Sequence, residues 1–233
     1  MNTQIEAVIA DLDGTILDTE LMNAELVRDS LTELGYKMPV NFMEWFFENC
    51  AGVGWSKSSV KLINTFNINK ADLDSFSKVF DRKRKEYVET NEIAKKKGLF
   101  RLLDFLKAKG IKIAICTSSR KQEIQLFKLH HAGVSADYFE TIVTGDMVKE
   151  IKPHRELYLL TCEKLGVKPE NAIALEDSDL GVEAAFNAGV RVILIPDHMK
   201  NSDRAKQMAW KIVDSLDEVP SIIASQEIEL SNL

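Results

Sequence analysis

The sequence predicts an α/β fold: a mainly parallel sheet with helices on both faces, plus a block of helices inserted after the first strand. Three observations support this prediction. A short apolar run, IEAVIA from Ile5, ends in a turn that carries two aspartates. From residue 95 onward, strand-length apolar runs alternate with helical stretches, which is typical of βαβ units. Between residues 18 and 94 only helical periodicity is visible.

The composition is that of an ordinary globular protein, and it excludes several classes of function. The 233 residues are 45% hydrophobic and 28% charged, with a net charge of -6. An acidic chain does not provide the basic surface that nucleic acids require. No apolar run is long enough to cross a bilayer, and the amino terminus lacks a signal-type segment. We therefore expect a cytoplasmic monomer with no nucleic-acid or membrane partner.

The three cysteines indicate neither a disulfide framework nor a zinc site. They are odd in number and widely spaced, and they include no CxxC pair: Cys50, Cys116 and Cys162. Buried free thiols are expected.

The first strand places acidic residues at an edge of the sheet. Val8 and Ile9 fit a buried strand that is bounded by the Asp-Gly turn at Asp13 and Gly14. Ligands of open α/β sheets bind at the carboxyl ends of the strands. Asp11 is therefore placed to react, and Asp13, two positions on, can point the same way.

The inserted block reads as a small helical bundle. Apolar residues recur at three- and four-residue spacing after Thr19, until Gly35 ends the helix. Further helices are predicted over 42–47, 60–66 and 73–88, with the glycine-rich segment 51–56 as the main break. The charged run at 81–87 is typical of a solvated helix face.

The remaining chain predicts the rest of the sheet. Helices are expected over 99–109, 121–131, 155–165 and 180–188, and strands over 111–116, 141–144, 172–176 and 191–195. The sheet domain is thus made of two segments, 1–17 and 95–233, and the helical domain covers 18–94. Residues 226–233 show no pattern and are expected to form a loose tail.

Three more groups of polar residues come at or after predicted strands of this sheet. Thr117 and Ser118 follow the second strand, where a hydroxyl is also a common cap. Lys152-Pro153 precedes a helix, and proline suits the first turn of a helix. Glu176-Asp177 end another strand, and adjacent acids there suit Mg²⁺, which takes one or two carboxylates. Ser178 and Asp179 are credible caps of the next helix.

Taken together, the four groups resemble the motifs of the haloacid dehalogenase (HAD) superfamily. They occur in the order of that superfamily: DLDGT at 11–15, Thr117, Lys152-Pro153, and EDSDLG at 176–181. The resemblance implies a Rossmann-like core domain (1–17 and 95–233), a helical cap domain (18–94) and phosphoryl transfer through an aspartyl-phosphate.

The resemblance also implies a role for each motif residue. Asp11 is the nucleophile, and Asp13 protonates the leaving oxygen and then deprotonates water. Thr117 and Ser118 bind the phosphoryl oxygens, and Lys152 offsets their charge. The implied Mg²⁺ ligands are the carboxylates of Asp11 and Asp177, the backbone carbonyl of Asp13, and Glu176 directly or through water. Dehalogenases of the superfamily lack the second aspartate, which argues against carbon-halogen cleavage.

The segments DGTILDTE and EDSDLGVEAA look most like the β-phosphoglucomutase and sugar-phosphate phosphatase branch. That branch often carries a histidine where this chain has Asn23, and its mutases carry an arginine where this chain has Trp55. Asn23 and Trp55 are candidate substrate contacts, although Trp55 can instead anchor the cap. The four histidines match no motif: His130, His131, His154 and His198.

We therefore expect a Mg²⁺-dependent phosphatase that acts on a small phosphorylated metabolite. Two alternatives stay open. One is a phosphomutase of the β-phosphoglucomutase type, and the other is a non-catalytic metabolite-binding protein.

Overall fold

The computed structural model describes residues 4–50, 55–198 and 200–231, without the side chains of residues 55–57 and 227–231. The predicted α/β fold is confirmed. The strands are β1 (Ala7–Ala10), β2 (Lys112–Cys116), β3 (Thr141–Val143), β4 (Ala172–Glu176), β5 (Arg191–Leu194) and β6 (Lys211–Ile212). The helices are α1 (Glu20–Glu33), α2 (Phe42–Asn49), α3 (Trp55–Phe66), α4 (Leu73–Thr90), α5 (Leu99–Lys109), α6 (Gln122–His131), α7 (Glu156–Leu165), α8 (Asp179–Asn187), α9 (Asp203–Met208) and α10 (Val219–Ser231).

One parallel sheet organises the described part of the chain, with strand order β3-β2-β1-β4-β5-β6. The first strand lies in the middle, so Ala10 stands opposite Ile115 on β2 and Leu175 on β4. The Asp11 amide continues the ladder by donating to the Leu175 carbonyl at 3.0 Å. Because the three strands run in the same direction, their carboxyl ends meet at one edge of the sheet.

Alternate residues of β1 face opposite layers of helices, as a strand requires. Val8 and Ala10 belong to a buried cluster that includes residues of α5, α6 and α10: Leu106, Leu129 and Ile223. Ala7 and Ile9 belong to a cluster that includes residues of α7, α8 and α9: Leu157, Val182 and Ala205. Helices therefore cover both faces of the sheet, and the strands are buried between them.

The four helices between β1 and α5 have a hydrophobic cluster of their own, with all members between residues 24 and 80. The rings of Phe42 and Phe66 pack in it with centroids 5.6 Å apart. Helix α1 belongs to both parts of the molecule, since Val27 lies in this cluster and Leu26 lies in the cluster under the sheet. Helix α4 does the same, with Phe76 in the first cluster and Val88 in the second, so the helical block packs against the sheet domain through α1 and α4.

The structure corrects three predictions of local structure. Helix α3 begins at Trp55 rather than at residue 60, because the polar start of this helix carries no apolar periodicity. Residues 226–231, predicted as a loose tail, continue helix α10. Pro153 precedes α7, which begins at Glu156, so the proline does not lie in the first turn. The Glu156 carboxylate accepts the amides of residues 149 and 150 and so fixes the start of α7.

Other predictions agree with the structure. Ser178 caps α8 by accepting the Gly181 amide at 3.2 Å, and the three cysteines are free and buried. None of the helices in the described ranges combines the length and apolarity needed to cross a membrane.

Candidate active site

A buried lysine joins the ends of β1, β2 and β4. Lys152 Nζ donates to Asp11 Oδ1, to Glu176 Oε1 at 2.5 Å and to the carbonyl of Cys116 at 2.7 Å. Burial disfavours the charged ammonium, but the carboxylates of Asp11 and Glu176 outweigh burial and raise the pKa of Lys152 above its ordinary value. Lys152 is therefore a fixed cation at the strand ends.

Glu176 is held on both of its oxygens. Tyr158 on α7 donates its hydroxyl to Glu176 Oε1, and Ser178 donates to Oε2 at 3.3 Å. Burial and then the charge of Glu176 raise the pKa of Tyr158 well above its ordinary value, so the hydroxyl keeps its proton. A Cβ at Gly181 would come within 1.9 Å of Glu176 Oε2, so only glycine allows α8 to start this close to the carboxylate.

Asp177 lies against the turn that follows β1. Thr15 donates to Asp177 Oδ1 at 2.9 Å, and Asn201 donates to the Asp177 carbonyl at 2.7 Å. Gly14 has φ 89°, and a Cβ there would meet Asp177 Oδ2 at 2.4 Å. The turn at 13–15 therefore packs closely against the end of β4.

The electrostatics of the strand ends suit a bound divalent cation. Three buried carboxylates lie at the strand ends, those of Asp11, Glu176 and Asp177. Lys152 forms ion pairs with the first two of them. Burial, opposed by Lys152 and reinforced by Glu176, raises the pKa of Asp11 to about 7. Burial and then the charges of Asp11 and Glu176 raise the pKa of Asp177 well above its ordinary value. Hard oxygen ligands with excess negative charge fit Mg²⁺.

A second acidic cluster lies apart from this set. Ligand atoms of Asp18, Asp197 and His198 come within 4.8 Å of one another. Lys96 already forms an ion pair with Asp197 and lies 3.9 Å from Asp18. This cluster contains none of the motif residues.

Asp13 has partners of its own. Lys128 Nζ on α6 donates to both Asp13 oxygens, each at 2.7 Å. Thr19 donates to Oδ1 at 2.6 Å, and Ser119 donates to Oδ2 at 3.2 Å. Burial by itself would raise the pKa of Asp13, but Lys128 and the two hydroxyls lower it overall. In this arrangement Asp13 is a carboxylate.

The predicted phosphate-binding hydroxyls follow β2. Thr117 is buried, its amide donates to the Val143 carbonyl at 3.0 Å, and its hydroxyl accepts the Ser119 amide at 3.0 Å. Ser118 is half-buried on the same turn. Thr117 and Ser118 therefore lie in the same loop as Ser119, whose hydroxyl donates to Asp13.

Of the two predicted substrate contacts in the helical block, the structure describes the side chain of Asn23. Asn23 is half-buried in the first turn of α1, and its backbone amide donates to the Thr19 carbonyl at 2.9 Å. The side chain of Trp55, and the glycine-rich segment 51–54 before it, lie outside the described residues.

Sequence reasoning assigned no role to Lys128, Ser119, Tyr158 or Thr15. A signal for Lys128 was available: Gln125, Lys128 and Leu129 form the buried stripe of α6, and two polar residues in a buried stripe call for polar partners. No comparable local signal marks Tyr158, which reads as an ordinary core aromatic.

The chain is similar to known proteins along most of its length. The family model for haloacid dehalogenase-like hydrolases matches residues 8–195. A protein of Thermotoga maritima named phosphorylated carbohydrates phosphatase is 35% identical over 202 residues, which is 86% of this chain and 89% of the relative.

Solved structures with the same fold include a putative β-phosphoglucomutase from Thermotoga maritima, 29% identical, with a TM-score of 0.78 over 95% of this chain and 99% of that one. Another is a variant of CbbY from Rhodobacter sphaeroides in complex with xylulose-(1,5)bisphosphate. It is 26% identical, with a TM-score of 0.76 over 92% of this chain and 96% of that one.

Proposed function

We propose that this protein acts on a sugar phosphate or a similar small monoester and that Asp11 carries the phosphoryl group. The chain belongs to the haloacid dehalogenase-like hydrolases and is a phosphatase of that family. The observation that supports this proposal best is the placement of Asp11. It lies at the end of the central strand with its Oδ1 held by a buried lysine.

In the first half of the reaction, Asp11 Oδ2 attacks phosphorus while Lys152 holds Oδ1. The new bond joins Oδ2 to phosphorus, and the bond from phosphorus to the leaving oxygen breaks. Asp13 must carry a proton for this step, taken up from solvent or from the water of the preceding turnover, and it gives that proton to the leaving oxygen, so that the sugar departs as an alcohol. Lys152 offsets the repulsion between the carboxylate and the phosphoryl oxygens.

In the second half, water attacks the same phosphorus and the bond to Asp11 breaks. Asp13 takes the proton from that water, and inorganic phosphate leaves. The ionised state of Asp13 beside Lys128 is the state that this step requires.

Mg²⁺ would be held by the carboxylates of Asp11 and Asp177, by the Asp13 carbonyl and by Glu176, and when bound it supplies positive charge opposite the phosphoryl oxygens. Thr117 and Ser118 would donate hydrogen bonds to the same oxygens. Residues 18–94 would act as a cap domain over a core formed by 1–17 and 95–233, with Asn23 and Trp55 facing the leaving group.

A screen of phosphorylated metabolites tests the proposal. Phosphate release is measured for a panel of sugar phosphates and related monoesters, with excess Mg²⁺ and again after chelation. We expect release from at least one sugar phosphate and its loss on chelation. Release that persists after thorough chelation would remove Mg²⁺ from the proposal, and a binding signal with no release from any ester would favour a non-catalytic metabolite-binding protein.

Asp177→Asn is expected to raise the Mg²⁺ concentration for half-maximal activity by at least about 10-fold, because one carboxylate ligand is lost. The amide can still accept the Thr15 hydroxyl, so the turn at 13–15 keeps its contact. A Mg²⁺ titration of phosphate release measures the change. The exposed Asp214→Asn is the matched control and should leave the titration unchanged; a superimposable curve for Asp177→Asn would disprove the ligand role.

Hydrolysis is expected to dominate over isomerisation. A mutase must hold both phosphates of a bisphosphate, and Asn23 and Trp55 supply no charge for a second one. Phosphorus NMR that follows sugar phosphates and inorganic phosphate together should show free phosphate as the first product, with no requirement for added bisphosphate. An isomeric sugar phosphate that forms faster than free phosphate and depends on added bisphosphate would establish the phosphomutase instead.

A further inference from the structure

The contact between Lys128 and Asp13 is a partly buried ion pair whose lysine lies outside the four motifs. The ammonium lies 2.7 Å from each carboxylate oxygen, and the two side chains are only 11% and 15% exposed. A charge-assisted contact to both oxygens of a partly buried carboxylate is stronger than a hydrogen bond between neutral groups, so it holds the carboxylate in place. Thr19 and Ser119 each reach one oxygen. Lys128 reaches both.

The helix that carries Lys128 is anchored at its start. The Lys121 amide donates to Asp146 Oδ1 at 3.0 Å, and the buried Gln125 donates to the Arg120 carbonyl at 3.0 Å. These bonds tie the first turn of α6 to the loop that carries Thr117 and to the loop after β3. The position of the Lys128 backbone is therefore set by the same loops that surround the strand ends.

Lys128 also lines a cavity of about 400 Å³ between α6 and the helical block. Met22 on α1 and Val88 on α4 form part of the opposite wall, with Phe127 on the near side. Within the described residues, the Lys128 ammonium forms an ion pair with Asp13. The charge of the lysine therefore acts on the proposed acid and base.

We infer that Lys128 is the positioning residue of Asp13: it orients the carboxylate toward the water that releases phosphate from Asp11. The inference rests on the proposed function and assigns a role to a residue outside the four motifs. Loss of Lys128 leaves Asp13 with two neutral hydroxyl partners, which hold the carboxylate less strongly than the ammonium does. The hydrolysis of the phosphorylated enzyme should then slow, while attack by Asp11 on a substrate with a good leaving group should not.

The test uses Lys128→Met and p-nitrophenyl phosphate, whose phenolate departs without needing a proton. Rapid-mixing measurements follow nitrophenolate release with Mg²⁺ present. The variant is expected to give a fast burst of about one equivalent of nitrophenolate per enzyme, then a steady rate about 10- to 100-fold below that of the parent protein, with KM not increased. Acid quenching during the steady phase should find phosphate bound covalently to the protein.

Two further variants make the result specific. Lys128→Arg retains a cation with two donors and should recover part of the steady rate. Lys107→Met, an exposed lysine on α5, should behave as the parent protein.

A steady rate of Lys128→Met equal to that of the parent protein would overturn the inference, and so would an equal loss in burst rate and steady rate. Failure of the parent protein itself to release phosphate from any ester would count instead against the proposed function. The two failures are therefore distinguishable.

Discussion

Asp11→Asn is expected to lower turnover by on the order of 10⁴-fold or more, because the variant loses the atom that attacks phosphorus. The amide keeps the size of the carboxyl group and still offers an oxygen to Lys152. The measurement is phosphate release under single-turnover conditions, together with acid-quenched labelling of the protein by radioactive phosphate. Both signals should disappear.

The fold of this variant should survive. Burial raises the pKa of Asp11 to about 7, which means that the folded protein disfavours the ionised carboxylate relative to the unfolded chain. A neutral amide removes that penalty, and Lys152 keeps the Glu176 carboxylate as its ion-pair partner, so the thermal midpoint without Mg²⁺ should not fall. Turnover near the parent rate, or covalent labelling at another residue, would show that Asp11 is not the nucleophile.

Lys152→Met is expected to destabilise the protein as well as inactivate it. The substitution leaves the carboxylates of Asp11 and Glu176 buried without their cation, and breaking a buried ion pair by removing one partner costs about 3–5 kcal/mol. Turnover should fall by roughly 10²–10³-fold, the scale seen when one group that stabilises charge in a transition state is removed. Urea unfolding and phosphate release measure the two effects separately.

Lys164→Met provides the matched control, because Lys164 is an exposed lysine on α7, the helix that follows Lys152. It should change neither the free energy of unfolding nor the rate. Addition of Mg²⁺ should restore part of the stability of Lys152→Met, since a divalent cation would offset the same carboxylates. A Lys152→Met protein as stable and active as the control would refute the role assigned to this lysine.

The sequence was sufficient to place the motif residues along the fold. Apolar periodicity located the strands that end near Asp11, Thr117 and Glu176, and the alternation of strands and helices indicated that these strands are parallel. Parallel strands bring their carboxyl ends to one edge, so periodicity assigned residues far apart in the chain to the same edge of the sheet. The strand order, which places β1 between β2 and β4, came only from the structure. Short elements without a pattern, such as the two-residue β6, were beyond this reasoning.

Only the tertiary structure decided which side chains form hydrogen bonds with the motif residues at the strand ends. Lys128 is separated from Asp13 by 115 positions, and their pairing depends on how α6 lies across the sheet edge. Tyr158 reads as a core aromatic, yet the packing of α7 brings its hydroxyl to Glu176. The sequence by itself determined which residues stand at the strand ends, because periodicity is local. It could not determine their partners, because contacts between distant segments depend on helix packing angles that no local pattern encodes.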